Sequence, residues 1–307
     1  MKSQLVKIAS LVYFVLTLSP IASFAQEPSR SKGFMHNIHV GLIYPISNHG
    51  VNAGEYTNVF SVHAIAGLSQ AEKGLSLAGV ANIIKGEARG TQFAGVLNSY
   101  NTGRGLQLAG VLNIARQEVH GLQIAGVINK AGKVHGVQFA GVMNIADSSD
   151  YPIGIVNIIK NGSKSLGLSI DEDQTLLASF RSGGRVMYGI VGLGYNLQNS
   201  KQKYAFEAGM GAHLIAKNDF SLNLEISSVN LIDFDDHMYS KNSLRLLPAY
   251  KVSPNLEIYA GPSVAHIFTN SSEGEDMISN TIWRKTRDNG HTNAVGFGAI
   301  AGVQLYF

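Results

Sequence analysis

The chain has 307 residues, 34 of them glycine and none of them cysteine, with a formal net charge of +3. Lacking cysteine, it offers no disulfide, no thiolate metal site and no lipid-attachment cysteine behind a leader. Two of its 24 basic residues, Lys2 and Lys7, open the chain; the remaining 22 balance 21 acidic ones, so no basic face for nucleic acid is expected.

Residues 1–25 read as a secretory signal peptide. Lys2 and Lys7 supply its positive start, Ile8–Leu18 is apolar apart from Ser10 and Thr17, and the small residues Ser23 and Ala25 suit cleavage before Gln26. The apolar run falls short of the ~20 residues that a membrane-spanning helix needs. From Gln26 onward no Pro/Ser-rich linker divides the chain, so one domain over 26–307 is expected. Its first element is a strand in which Ile38, Val40, Leu42, Tyr44 and Ile46 share one face.

A repeat then fills residues 74–157. Its clearest copies are GLQLAGVLN (Gly105–Asn113), GLQIAGVIN (Gly121–Asn129) and GVQFAGVMN (Gly136–Asn144); degenerate copies start at Gly74 and Gly90, and PIGIVN (Pro152–Asn157) follows. Within a copy Leu106, Leu108, Gly110 and Leu112 alternate with Gln107, Ala109, Val111 and Asn113. This period of two marks strands with one greasy face and one small, amide-bearing face. The leading glycines are spaced 16, 15, 16 and 15 residues apart. An antiparallel meander has two kinds of turn and accommodates that alternation naturally. The expectation is therefore an up-and-down barrel in which Asn113 faces Gln123 and Gln107 faces Asn129. The alternative is a parallel solenoid in which Asn113 stacks on Asn129, carried by an eight-stranded barrel made of strand one and the last seven strands. Gly110, Gly126 and Gly141 lie mid-strand on the greasy face, which implies close approach by something: aromatic cover from Phe93 and Phe139, or a flat patch through which homo-oligomers form.

Beyond the repeat, Tyr204–Leu214 and Phe220–Ile226 again alternate apolar with polar residues. At the end Val295, Phe297, Ala299, Ala301, Val303, Leu305 and Phe307 share a face. Sixteen candidate strands begin near residues 37, 59, 74, 90, 105, 121, 136, 152, 164, 174, 185, 203, 220, 243, 255 and 293. The expected fold class is all-β: a transmembrane antiparallel barrel of about 14–16 strands, with C-terminal strands over 185–307. Parity puts Ser47–Asn58, Asp233–Asn242 and Thr269–Thr292 outside the cell and Ala216–Asp219 and Val252–Pro254 in the periplasm.

The repeats, together with LRLLPAYKVSPNLEIYAGPSV (Leu244–Val264), resemble surface-repeat-containing outer-membrane proteins of Gram-negative bacteria. The resemblance covers Gly74–Asn157 and, less specifically, Arg185–Phe307. It implies an outer-membrane barrel with a structural, pore-like or surface role and supplies no catalytic residues. Outer-membrane lipid is the expected partner. A final strand ending on Phe307 resembles the signal read by the barrel assembly machinery. A surface ligand-binding module is the alternative, and an embedded lipid hydrolase is the least favoured role.

Candidate lumen-facing residues are Gln107, Asn113, Gln123, Asn129, Glu207, Glu225, Arg245, Lys251 and Glu257. Their opposite charges suggest a salt-bridged interior plug. Asp171-Glu172-Asp173 and the cluster Asp233, Asp235, Asp236 and His237 read as solvated acidic loops. Gly192-Leu193-Gly194 and Gly209-Met210-Gly211 lack the helix that a phosphate loop needs. His213, His266 and His291 have serines nearby but no hydrolase spacing. No metal, cofactor or catalytic residue is assigned.

Overall fold

A computed structural model describes residues 34–199, 201–232, 238–287 and 290–307. The expected leader, Met1–Ala25, and Asp233, Asp235, Asp236 and His237 lie outside the described residues. The chain opens with β1 (Phe34–Ile43), the two-residue β2 (Ile46–Ser47), a 3-10 turn at Gly50–Glu55 and the long β3 (Tyr56–Ser69). Coils follow, each a longer strand and then a shorter one. They are β4 (Ala71–Ala78) with β5 (Ala81–Ile84), β6 (Glu87–Ala94) with β7 (Leu97–Tyr100) and β8 (Thr102–Ala109) with β9 (Leu112–Ala115). After them come β10 (Glu118–Ala125) with β11 (Ile128–Lys130), β12 (Lys133–Ala140) with β13 (Met143–Ala146) and β14 (Ser148–Ile153) with β15 (Val156–Ile159).

These coils stack in parallel as a β-solenoid. Like residue meets like: Gly105 pairs with Gly90 and Gly121, Gln123 with Gln107 and Gln138, and Asn129 with Asn113 and Asn144. The 14–16-stranded meander is thereby corrected in favour of the solenoid. The 15/16 alternation does not disturb the stack because the extra residue sits in a turn. One residue, Asn101, separates β7 from β8, whereas Arg116 and Gln117 separate β9 from β10. Ser47–Asn58 is not a barrel loop but part of the first coil, beside β1, which pairs in parallel with β3.

Two glycine rows make this stacking possible. Gly105, Gly121 and Gly136 have φ of 107, 136 and 134°, a region L side chains rarely adopt. At the corner, a Cβ on Gly110 would lie 2.1 Å from the Gly95 carbonyl oxygen, and one on Gly126 would lie 2.1 Å from that of Gly110. What approaches these mid-copy glycines is the backbone of the preceding coil.

The rest of the chain builds a second unit. β16 (Ser163–Asp171), β17 (Thr175–Gly183), β18 (Met187–Asn196), β19 (Tyr204–Lys217), β20 (Phe220–Ile232), β21 (Tyr239–Ser253) and β22 (Leu256–Thr269) pair antiparallel in sequence. After α1 (Ser272–Asp276) and β23 (Thr281–Thr286), β24 (Thr292–Tyr306) pairs with both β22 and β16 and closes an eight-stranded barrel. The candidate strands near 164, 174, 185, 203, 220, 243, 255 and 293 supply these eight, so strand one (β1) belongs to the solenoid instead. Among the described residues no helix is long and apolar enough to cross a membrane.

The barrel is inverted relative to a water-soluble core. Its outer wall carries Leu168, Leu193, Ile226, Leu244 and Phe297, all exposed, while Glu207, Glu225, Arg245 and Ser179 are buried inside. The two ends differ. One has the short connections 184–186, 218–219 and 254–255, the Phe307 terminus and the solenoid; the other has the acidic turn 172–174 and the long segment 270–291.

Candidate functional site

The solenoid interior is lined by amides. Asn82 Nδ2 donates to Asn98 Oδ1 at 2.9 Å, and the same step repeats through Asn113, Asn129, Asn144 and Asn157 at 2.8–3.0 Å. Each amide also donates to a backbone carbonyl, as Asn113 does to Ile124 at 2.7 Å. The row starts from Ser76, which donates to Asn82 at 2.9 Å, and ends on the barrel, where Asn157 N donates to Ser182 Oγ at 3.1 Å. Gln107 donates to Gln92 at 3.2 Å and Gln138 to Gln123 at 3.0 Å. Between those pairs Tyr100 interrupts the row, and its hydroxyl accepts from Gln123 at 2.6 Å. Gln107, Asn113, Gln123 and Asn129 are fully buried here. They line the solenoid core rather than a barrel lumen, and Asn113 meets Asn129 rather than Gln123. A side-by-side stack of identical amides lets each one donate and accept, which an Asn–Gln pair at fixed depth does less regularly.

Behind the amides runs a thin apolar layer of Ala88, Ala115, Val119, Val134 and Ile159. Tyr100 occupies the space vacated by Gly103, where a Cβ would lie 2.7 Å from its ring. The first coil is different. His39 and His63 are buried with ring centroids 4.3 Å apart, and His49 lies 4.5 Å from His39. Asn58 donates to His39 Nδ1 at 3.4 Å and to the buried Glu72 at 3.1 Å, and accepts from His49 Nε2 at 3.2 Å. Among the described residues, His39 Nε2 and both His63 nitrogens have no hydrogen-bond partner. Burial first, then the neighbouring His63, His49 and His36, hold the His39 pKa down at about 3. His63 and His49 are lowered as well, mainly by burial, and Glu72 is raised by burial against the hydrogen bonds of Asn58, Ser69 and Ser61.

In the barrel Glu207 accepts from Arg245 at 2.6 Å, from Ser227 at 2.7 Å and from Ser179. Glu225 accepts from Arg181 and from the Tyr188 hydroxyl, each at 2.9 Å, and lies 3.8 Å from Arg245. Two carboxylates thus balance two guanidiniums across the centre. Toward the solenoid, Gln304 donates to Glu257 at 2.6 Å. The cavity beside it, lined by Arg181, Tyr188, His213 and Tyr306, holds about 10 Å³, room for about one water molecule. At the opposite mouth Lys241 lies 3.0 Å from Asp171, 2.6 Å from Glu172 and 2.8 Å from Asp173. Tyr239 donates to Asp173 at 2.9 Å. That mouth is covered by the buried Met277, just beyond α1.

Glu207, Glu225, Arg245 and Glu257 therefore converge inside the barrel. Lys251 does not: it is exposed at the end of β21, its ammonium 5.5 Å from the Tyr306 ring. The turn Asp171–Asp173 is also corrected, from a solvated loop to the counter-charge of the buried Lys241. Arg181 and Lys241 escaped the sequence reading, although both sit at inward parity on their strands. His213 Nδ1 pairs with Asn223 at 2.6 Å, and His266 faces outward. On the solenoid surface Glu118, His120 and His135 hold ligand atoms within 4.8 Å of one another, a set that suits a divalent cation; Lys133 sits 3.7 Å from the same carboxylate. No protein-family model, curated protein or solved structure matches the chain.

Proposed function

We propose that the protein is an outer-membrane protein of a Gram-negative bacterium, whose C-terminal barrel is a plugged lipid anchor and whose solenoid is a non-catalytic structural or ligand-binding module beneath it. The observation that carries this reading is the inversion of the barrel, with an apolar wall outside and a balanced ionic network inside. In water such a wall would expose far more contiguous apolar area than the few hundred Å² a soluble monomer tolerates. In a bilayer it is the required arrangement, because closure satisfies every backbone group and charges are kept from lipid. The uneven ends support the usual orientation: long segments outside, and short turns, the Phe307 terminus and the solenoid on the periplasmic side. The secretory leader expected at residues 1–25 and the assembly signal at Phe307 agree with that route.

A plugged role is favoured over a pore by the Glu207–Arg245–Glu225–Arg181 network and by Met277 in the mouth. Cell fractionation with heat-modifiable gel mobility tests the anchor. The protein is expected with the outer membrane and to migrate faster unheated; recovery as a soluble periplasmic protein overturns the reading. Planar-bilayer recording is expected to give no steady conductance, and open-channel current would replace the plug with a pore.

A further inference from the structure

Where the last coils approach the barrel there is a groove of about 620 Å³. Its wall is a stacked row in which Ile114, Lys130, Ile145 and Ile158 hold matching positions of successive coils. With Lys130, the flanking Arg116, Lys160 and Lys164 set four cations against a single carboxylate, Asp147. None of the four cations lies within ion-pair distance of a carboxylate among the described residues. The groove thus carries an unpaired cationic surplus, whereas the barrel pairs each of its buried cations. It also has a defined height: the Lys164 carbonyl accepts from Phe307 N at 3.2 Å, and the exposed Phe307 ring stacks near Phe180 with centroids 6.4 Å apart. In lipid-embedded barrels, aromatic residues at a strand end mark the level of the headgroups.

We propose that this groove binds an anionic phospholipid of the leaflet on the solenoid side, its phosphate among Lys130, Lys160, Lys164 and Arg116 and one acyl chain along the adjacent Ile145 and Ile158. The inference rests on the proposed membrane anchor and adds a ligand to it. Apolar wall and cationic rim together select an amphiphile: a free phosphate leaves the isoleucines uncovered, and a zwitterionic lipid leaves the charge surplus in place. Each cation near an anionic lipid surface contributes roughly a fivefold factor, so losing three removes about 100-fold in affinity.

The test uses the full-length protein in nanodiscs of phosphatidylcholine, titrated with phosphatidylglycerol and read by native mass spectrometry. One phosphatidylglycerol is expected to be retained. The variant carrying Lys130→Gln, Lys160→Gln and Lys164→Gln should lose it by about 100-fold, and the corresponding Lys→Arg variant should keep it. Ile145→Ser should weaken phosphatidylglycerol but not inorganic phosphate. Equal retention of phosphatidylglycerol by wild type and the glutamine variant overturns the proposal, as does binding of inorganic phosphate with the same affinity as the lipid. Should the glutamine variant not fold, Lys160→Gln alone replaces it: a loss of about fivefold is expected, and unchanged retention overturns the proposal. Failure of the anchor itself is separate: the protein would then stay out of nanodiscs and lack heat-modifiable mobility, whatever the groove binds in detergent.

Discussion

Asn113 accepts from Asn98 at 3.0 Å and donates to Asn129 and to the Ile124 carbonyl, so a fully buried amide uses both its oxygen and its nitrogen. Asn113→Ala leaves Asn129 Oδ1 without its donor and Asn98 Nδ2 with one acceptor fewer. Stranding such groups costs about 1–3 kcal/mol each, so a loss of about 2–4 kcal/mol is expected in equilibrium urea unfolding. Which face is interior was legible in the sequence, since small amides alternate with greasy residues. The partner was not, because a 15/16-residue period fits both a hairpin folded about Glu118 and a parallel stack. The histidines of the first coil give a second expectation. His39, His49 and His63 are held neutral, so their share of stability is present above the unfolded histidine pKa of 6.5 and is lost as pH falls toward the lowered folded values, about 3 for His39. Glu72 works in the opposite sense: its raised pKa stabilises below 4.5, and that share is lost as pH rises through the folded value. Hydrogen exchange across Tyr56–Ser69, corrected for intrinsic rates, should therefore rise from pH 7.5 to 5. His39→Gln together with His63→Gln should flatten the trend.

At the scale of the element, the corner glycines decide how closely coils stack. Gly126→Ala would put a Cβ 2.1 Å from the Gly110 carbonyl, and the obstacle is backbone rather than a movable side chain. Overpacking of this kind costs about 1–3 kcal/mol or more, and the coil stack has no slack to spread it. Protease digestion should cut Gly126→Ala within the solenoid while the barrel fragment survives with its heat-modifiable mobility; an intact solenoid would mean that the rungs can slide apart. The eight barrel strands were visible as alternating segments because each presents one lipid-like and one polar face. The coils looked like single strands for a related reason. Their greasy alternation runs across the Gly-Val bend unbroken, so nothing in the period reveals that Leu106–Ile114 turns a corner.

The whole molecule joins two interiors of opposite make, and the barrel carries an apolar outer wall. Amides fill the solenoid, and ion pairs fill the barrel. Arg245→Ala would leave Glu207 without its closest cation, and breaking a buried pair from one side costs about 3–5 kcal/mol. The same logic, applied to the outside, separates a membrane barrel from a soluble one. Ile226 is 61% exposed at the middle of β20, with no role in the ionic network. If its surroundings are acyl chains, Ile226→Arg costs roughly 2–4 kcal/mol when the protein is refolded from urea into vesicles. If its surroundings are water, a surface exchange of this kind stays within about 0.5 kcal/mol. The second outcome would leave the apolar wall of the barrel without a physical reason and would return the solenoid and barrel together to the aqueous phase.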